Sequence, residues 1–187
     1  MKKSFFQAAF TFTELLISMA IIVLLSGLLL AEYQRGEYSR GLNDVAQRLA
    51  QDIRRVENMA LEGEKYKGEI SHGYGIGFKT TDKYFVFKDD DNGNDYDNGE
   101  EIETIDIPSD FKISSRTVIT ADGEEKSGFD KEWVEFTTSD FKTIITGRVS
   151  ETDTSGSELK IEICWKARCK KNVRTVTVTN KGVVEIE

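Results

Sequence analysis

The stretch FTFTELLISMAIIVLLSGLLLA, residues 10–31, decides the fold, together with EYQRGEYSRGLNDVAQRLAQDIRRVENMALEG, residues 32–63. Residues 15–31 carry no charge. As a helix, residues 10–31 would span roughly 33 Å, close to the hydrocarbon thickness of a bilayer. Lys2 and Lys3 precede this run and the next cation is Arg35. The positive-inside rule therefore predicts one membrane-spanning helix with its N-terminus in the cytoplasm and the rest of the chain exported.

Residues 32–63 continue as an amphipathic helix. Apolar residues recur there at intervals of three and four, as on one face of a helix: Leu42, Val45, Ala46, Leu49, Ile53, Val56 and Ala60. Gly63 follows this stripe and is suited to end the helix, because glycine readily adopts the left-handed conformation of a C′ residue.

Residues 64–187 show the two-residue period of β-strands. Tyr74, Ile76 and Phe78 alternate with three glycines, which either only weaken a strand or leave a bare face that another backbone, such as the long helix, approaches closely. Residues 180–182, NKG, are a hairpin-turn signal. We count eight or nine strands and no second long helix. The predicted fold class is α+β: a long N-terminal helix on a β-rich, mostly antiparallel head of two sheets, with the helix covering one sheet.

Length and charge exclude several functional classes. The chain has 187 residues, with 25 Lys and Arg against 33 Asp and Glu, a formal net charge of −8. That length fits one domain plus an appendage rather than a large multidomain enzyme. A general nucleic-acid coat needs a basic surface, which this composition does not favour.

Glu14 stands at the start of the apolar run. Inserting a carboxylate into a bilayer costs on the order of 2–3 kcal/mol, so Glu14 needs a partner. Cleavage between Ala9 and Phe10 would create an α-amine on Phe10, with Glu14 as the fifth residue of the mature chain. The amine and the carboxylate could then neutralise each other, within one chain or between packed neighbours.

The order of these features carries a family resemblance. Two lysines, a short leader, a small residue and then Phe-Thr-x-x-Glu-Leu-Leu-Ile before a long apolar helix resemble the class III signal of type IV prepilins and type II secretion pseudopilins. The resemblance implies that a prepilin peptidase cuts before Phe10 and N-methylates it. It also implies that Glu14 pairs with the N-terminal amine of an adjacent subunit during assembly. Ala9 stands where the family usually has glycine.

The resemblance implies a pilin-like fold in four segments: a leader (residues 1–9), a transmembrane half-helix (residues 10–31), an amphipathic half-helix (residues 32–63) and a β-rich head (residues 64–187). The head is similar in plan to H-type minor pseudopilins and related minor pilins. The implied protein is a non-enzymatic structural subunit, single-pass in the inner membrane, with its head in the periplasm or outside the cell. Its implied partners are other pilin subunits, the prepilin peptidase and the inner-membrane assembly platform. Two alternatives stay open: a DNA-binding minor pilin of a competence pilus, and a signal-anchored exported enzyme or adhesin without a filament role.

Cys164 and Cys169 are the only cysteines. Two cysteines are too few for a structural zinc site. An exported head lies in an oxidising compartment, where disulfides persist, so we expect a disulfide between them. Two free thiols are the alternative.

The acidic segment KDDDNGNDYDNGEE, residues 88–101, has two interpretations. Asp90, Asn92, Asn94 and Glu101 fall at positions 1, 3, 5 and 12 of a calcium loop, but Asp95 replaces the glycine that an EF-hand requires. This segment is therefore not an EF-hand. We favour a solvated turn and expect no cofactor, with calcium as the alternative.

A basic run and a lone histidine complete the candidates. Phosphate contact is one interpretation of the basic run, and a solvated loop, which we favour, is the other: Lys166, Arg168, Lys170, Lys171 and Arg174. We do not expect nucleic acid as a partner. His72 is the only histidine, and its surroundings, HGYGIGF, lack the G-x-S-x-G of a nucleophile elbow, so no catalytic residue is assigned.

Overall fold

The computed structural model describes residues 11–63, 65–66, 69–90, 96–97, 99–149, 152–169 and 172–187. Two compact units divide the chain, Met1–Ser39 and Arg40–Glu187. The described residues have an α+β architecture, with an apolar N-terminal helix and antiparallel sheets, as the sequence predicts.

Helix α1 runs from Phe12 to Glu62. Thr11 precedes its first residue, and the Thr11 hydroxyl accepts a hydrogen bond from the Glu14 N–H at 3.3 Å, as an N-cap does. The segment Phe12–Leu30 has a mean hydropathy of 2.3, and none of its side chains is buried. By length and composition this segment can cross a membrane once.

In the second unit, the C-terminal half of α1 packs into the core of the head. The buried side chains of this half follow the predicted stripe: Leu42, Val45, Ala46, Leu49, Ala50, Ile53, Val56 and Ala60. Gly63 has a φ of +59° and its N–H donates to the Ala60 carbonyl at 3.2 Å, so the prediction that it ends the helix is confirmed.

The described residues form thirteen strands and one short 3-10 helix, Lys166–Arg168. The strands are β1 (Lys65–Tyr66), β2 (Glu69–Ile70), β3 (Gly73–Phe78), β4 (Lys83–Asp89), β5 (Glu101–Asp106), β6 (Phe111–Ile119), β7 (Glu125–Ser127), β8 (Lys131–Thr137), β9 (Thr143–Val149), β10 (Thr152–Gly156), β11 (Glu158–Trp165), β12 (Val173–Thr179) and β13 (Val184–Ile186).

Two large sheets build the head. One has six strands in the order β10-β9-β8-β3-β4-β5, and the other has five in the order β13-β12-β11-β6-β7. Strands β1 and β2 form a separate hairpin. All pairs are antiparallel. The strand count exceeds the predicted eight or nine, because β1, β2 and β7 are very short and the polar edge strands β5 and β10 lack an alternating apolar pattern.

Side chains of α1 and of both sheets form one continuous core. The helix reaches the six-stranded sheet where Tyr84 of β4 binds Asp52, and the five-stranded sheet where Arg174 of β12 binds Asn43. The expectation that the helix covers a single sheet is therefore wrong. A polar residue on one flank of the apolar stripe, Asp52, contacts the six-stranded sheet, and a polar residue on the other flank, Asn43, contacts the five-stranded sheet.

The glycines of β3 lie on the face of the six-stranded sheet opposite to the core side chain Ile76. Aromatic rings of β4 cover two of them, Phe87 over Gly75 and Phe85 over Gly77, and the Glu135 side chain of β8 covers Gly73. A Cβ atom on Gly75 would also lie 2.7 Å from the Val134 carbonyl oxygen. The expectation that another backbone, such as the long helix, approaches a bare glycine face is therefore wrong, because side chains of the neighbouring strands fill this face.

Candidate functional site

The N-terminal candidates are described in part. Ala9 and Phe10 lie outside the described residues. Glu14 is in the first turn of α1 with its side chain exposed, and its carbonyl accepts a hydrogen bond from the Ser18 hydroxyl at 2.8 Å. Thr11 and Glu14 also have the T-x-x-E spacing of a capping box. Glu14 thus combines a favourable position at the positive end of the helix with a carboxylate that a partner can reach.

The predicted disulfide between Cys164 and Cys169 is present. Cys164 is buried near the end of β11, Cys169 follows the 3-10 helix, and their Cα atoms are 4.9 Å apart. The bond closes a small loop around this turn and so fixes the exit of β11.

The basic run does not act as one surface where it is described. Lys166 and Arg168 are exposed on the 3-10 helix, whereas Lys170 and Lys171 lie outside the described residues. Arg174 donates from Nε to the Asn43 Oδ1 at 2.5 Å, which ties β12 to the helix. This position of Arg174 is structural.

Lysines form ion pairs with the two described carboxylates of the candidate calcium loop. Asp90 pairs with Lys88, with 2.7 Å between Nζ and Oδ1. Glu101 accepts hydrogen bonds from the Lys79 ammonium and from the Tyr96 hydroxyl. Asn92 and Asn94 lie outside the described residues. Within the part of the chain that the structure describes, no group of three or more His, Cys, Asp or Glu is placed to hold a metal.

Glu100 closes the acidic turn from within. Its Oε1 accepts the Asp90 N–H at 3.1 Å and its Oε2 accepts the Asp97 N–H at 2.7 Å. The side chain is buried, so these charge-assisted bonds are shielded from water. The sequence counts Glu100 only as one more acidic residue, because its role depends on where the turn folds back.

An aromatic cluster covers the outer face of the six-stranded sheet. It consists of Phe85, Phe87, Tyr96 and Trp133. The Lys79 ammonium lies 4.5 Å from the centroid of the Phe85 ring and 4.4 Å from that of Tyr96, close enough for cation–π attraction. This cluster explains why the glycines are needed on β3: they leave room for the rings of the next strand.

A buried ion pair joins the two sheets. Arg116 of β6 approaches Glu132 of β8 with 3.0 Å between Nε and Oε2. Only 1% of the Glu132 side chain is exposed, and burial raises the pKa of its carboxyl to about 7, although Arg116 opposes this rise. The pair borders a cavity of about 230 Å³ between the sheets.

Part of this ion pair could have been found from the sequence. Glu132 is in phase with Val134 and Phe136, so the two-residue period of β8 points it into the core. Arg116 could not be placed in this way, because the pairing of β11 with β6 shifts register between Glu162 and Ile163.

Comparisons of the chain with protein-family models, with curated proteins and with solved structures found no match. A function for this chain is therefore inferred from its own residues and their arrangement.

Proposed function

We propose that this protein is a structural subunit, of the minor pilin or pseudopilin kind, of a type IV pilus or a type II secretion pseudopilus. The observation that carries the proposal is the composition of α1. Its segment Phe12–Leu30 is apolar with no side chain buried, while residues 42–60 of the same helix pack into the β-rich head. The prepilin-like motif of the sequence, residues 10–17, overlaps the first turns of this helix from Phe12 onward.

The mechanism follows from the two halves of the helix. A prepilin peptidase removes residues 1–9, and the apolar half leaves the bilayer to pack among the helices of neighbouring subunits. Glu14 pairs with the α-amine of Phe10 on an adjacent subunit, which offsets the cost of holding a carboxylate in an apolar surrounding. The amphipathic half carries the head into the filament.

Several bonds support a firm hold of the helix on the head. The Arg54 guanidinium donates to the Val184 carbonyl at 2.9 Å, and the Arg55 guanidinium lies 2.9 Å from a Glu103 carboxylate oxygen. Together with the buried apolar stripe, these contacts resist separation of helix and head when an assembly platform moves the helix.

The location follows from the same proposal. Before assembly the chain spans the inner membrane once, with its head in the periplasm or outside the cell. The Cys164–Cys169 disulfide suits such an oxidising compartment. Its partners are other pilin subunits, the prepilin peptidase and the assembly platform.

Intact-mass spectrometry of the native protein tests the proposal. In cells with a prepilin peptidase we expect a chain that begins at N-methylated Phe10, and in cells without it a chain that keeps residues 1–9. Ala9→Gly, which restores the residue usual in the family, should be cut at least as completely, and Ala9→Leu should remain uncut. A mature chain that begins after Ala31 would overturn the family assignment.

A further inference from the structure

The cavity between the two sheets has room for a ligand. Its volume of about 230 Å³ compares with the roughly 10–15 Å³ that one water molecule needs by the same kind of measure. Arg116 and Glu132 border it, and Phe129 gives it an apolar wall. Both sheets thus contribute to one polar pocket that is partly open to solvent.

The guanidinium of Arg116 has more donors than the described residues satisfy. An arginine carries five N–H groups. The Glu132 Oε2 lies 3.0 Å from Nε as an ion pair without a hydrogen bond, and both this Oε2 and the buried Nη1 have no hydrogen-bond partner among the described residues. A buried donor without an acceptor costs free energy, so Nη1 points to an acceptor that is not part of the described chain.

Hydroxyl groups add further donors around the same cavity. Thr81, Ser115 and Ser127 line it. The hydroxyl of Ser114, a fourth lining residue, is engaged with the Glu162 carbonyl at 3.3 Å. A site lined by a guanidinium and several hydroxyls favours a ligand that supplies acceptor oxygens.

We propose that this cavity binds the carboxylate group of a small organic acid, held by Arg116 with Thr81 and Ser127. A planar guanidinium matches a planar carboxylate with two parallel hydrogen bonds. A single cation beside Glu132 suits one negative charge better than the two of a phosphate. The carbon part of the ligand packs on Phe129. This site goes beyond the proposed filament role and does not depend on it.

Glu132 does not prevent the binding of an anion. Burial holds the pKa of this carboxyl at about 7, with Arg116 lowering it and Asp130 raising it. A carboxylate in the cavity would raise the pKa further, because two like charges in one site favour the protonated form. The carboxylate ligand should therefore bind more tightly to protein in which Glu132 is protonated.

Thermal unfolding of the full chain in detergent micelles, titrated with sodium acetate against sodium chloride at matched ionic strength, tests the site. Acetate keeps its charge between pH 6 and 8. We expect a saturable rise in Tm with an apparent Kd about tenfold lower at pH 6 than at pH 8, as the protonated fraction of a group with a pKa near 7 requires. Glu132→Gln should remove this difference.

Two further variants separate binding from folding. Thr81→Val with Ser127→Ala keeps the ion pair and removes two donors, and it should raise the Kd at least fivefold. Arg116→Met with Glu132→Met removes both charges together, which buried pairs tolerate, and it should abolish the saturable response. Ser139→Ala, an exposed hydroxyl, should change nothing. The same non-saturating response in the wild type and in Thr81→Val/Ser127→Ala would overturn the proposal.

Discussion

The Tyr84 hydroxyl donates a hydrogen bond of 2.6 Å to Asp52, and this bond joins the six-stranded sheet to the long helix. Burial, together with the Asp52 carboxylate, raises the pKa of Tyr84, so the phenol remains a donor at every physiological pH. The Arg55 guanidinium lies 3.6 Å from Asp52 and 2.9 Å from Glu103 of β5. A polar network thus flanks the apolar stripe of α1 and fixes its rotation on the head.

Removal of the Tyr84 hydroxyl should weaken this junction. We expect Tyr84→Phe to lower the free energy of unfolding by about 1–2 kcal/mol, because Asp52 loses its donor in a partly buried place. Urea unfolding of the full chain in micelles, followed by tryptophan fluorescence, measures the change. Tyr33→Phe is the control, since Tyr33 is 69% exposed, and it should stay within about 0.5 kcal/mol of the wild type. An equal loss of unfolding free energy in both variants would show that the hydrogen bond between Tyr84 and Asp52 does not stabilise this junction.

Glu132 should make stability fall as pH rises. Its pKa is about 7 in the folded protein against 4.5 ordinarily, so the folded state binds the proton more tightly. This contribution is fully present below pH 4.5 and is lost as pH rises through 7. We expect unfolding free energy to fall by about 2–3 kcal/mol between pH 5 and pH 8.

Unfolding curves at pH 5, 6, 7 and 8 measure this effect. Glu132→Gln should flatten the profile. Glu101 and Asp153 have lowered pKa values through their bonds to Lys79 and Arg148. The stability that they contribute is therefore lost only when the pH falls below their ordinary pKa values, and it does not change between pH 5 and pH 8. A slope that persists in Glu132→Gln would belong to another group.

The glycine face of β3 gives a steric prediction. Gly75→Ala would place a methyl group against the Phe87 ring and 2.7 Å from the Val134 carbonyl oxygen, so strand or ring must move. We expect a loss of about 1–3 kcal/mol in unfolding free energy, the usual cost of overpacking. In Gly36→Ala the added methyl meets no atom within 4 Å, and helix propensity favours alanine, so stability should not fall. A neutral Gly75→Ala would mean that the aromatic cluster is loosely packed.

Local sequence patterns predicted those elements whose buried and exposed faces can be read from their own residues. The helical period of residues 42–60 gave the buried stripe, and Gly63 gave the end of the helix. The edge strands β5 and β10 were not predicted, because a strand with few buried residues shows no alternation of apolar and polar residues. The prediction placed the helix on one sheet only. Nothing in the sequence indicates which strands the polar residues beside the apolar stripe, such as Asn43 and Asp52, will contact.

The candidate sites divide in the same way. The disulfide could be predicted, because Cys164 and Cys169 are close in the chain and form a bond within one loop. The Arg116–Glu132 pair could not, since it joins strands of different sheets and a register shift hides the inward phase of Arg116. Glu100 likewise acts on backbone N–H groups that only the folded turn brings near.

Glu14 has two roles that substitution can separate. As the acidic residue of the T-x-x-E pattern after Thr11, it favours the start of α1, and glutamine serves equally well at this position of a capping box. As the partner of a neighbouring α-amine, it needs a negative charge, which glutamine lacks. Glu14→Gln therefore keeps the first role and removes the second.

We expect Glu14→Gln to insert into the membrane and fold its head normally, yet to enter filaments at a level at least tenfold below the wild type. The reason is that the α-amine of the adjacent subunit loses its counter-charge in an apolar surrounding, which costs on the order of 2–3 kcal/mol, and each 1.4 kcal/mol corresponds to a factor of ten. Mechanical shearing of cells, followed by quantification of the subunit in the sheared and membrane fractions, measures incorporation. Glu37→Gln changes an exposed acidic residue of the same helix outside Phe12–Leu30 and should assemble as the wild type does. Wild-type assembly of Glu14→Gln would show that the charge is not needed for docking, whereas its loss from the membrane fraction would indicate a defect in insertion instead.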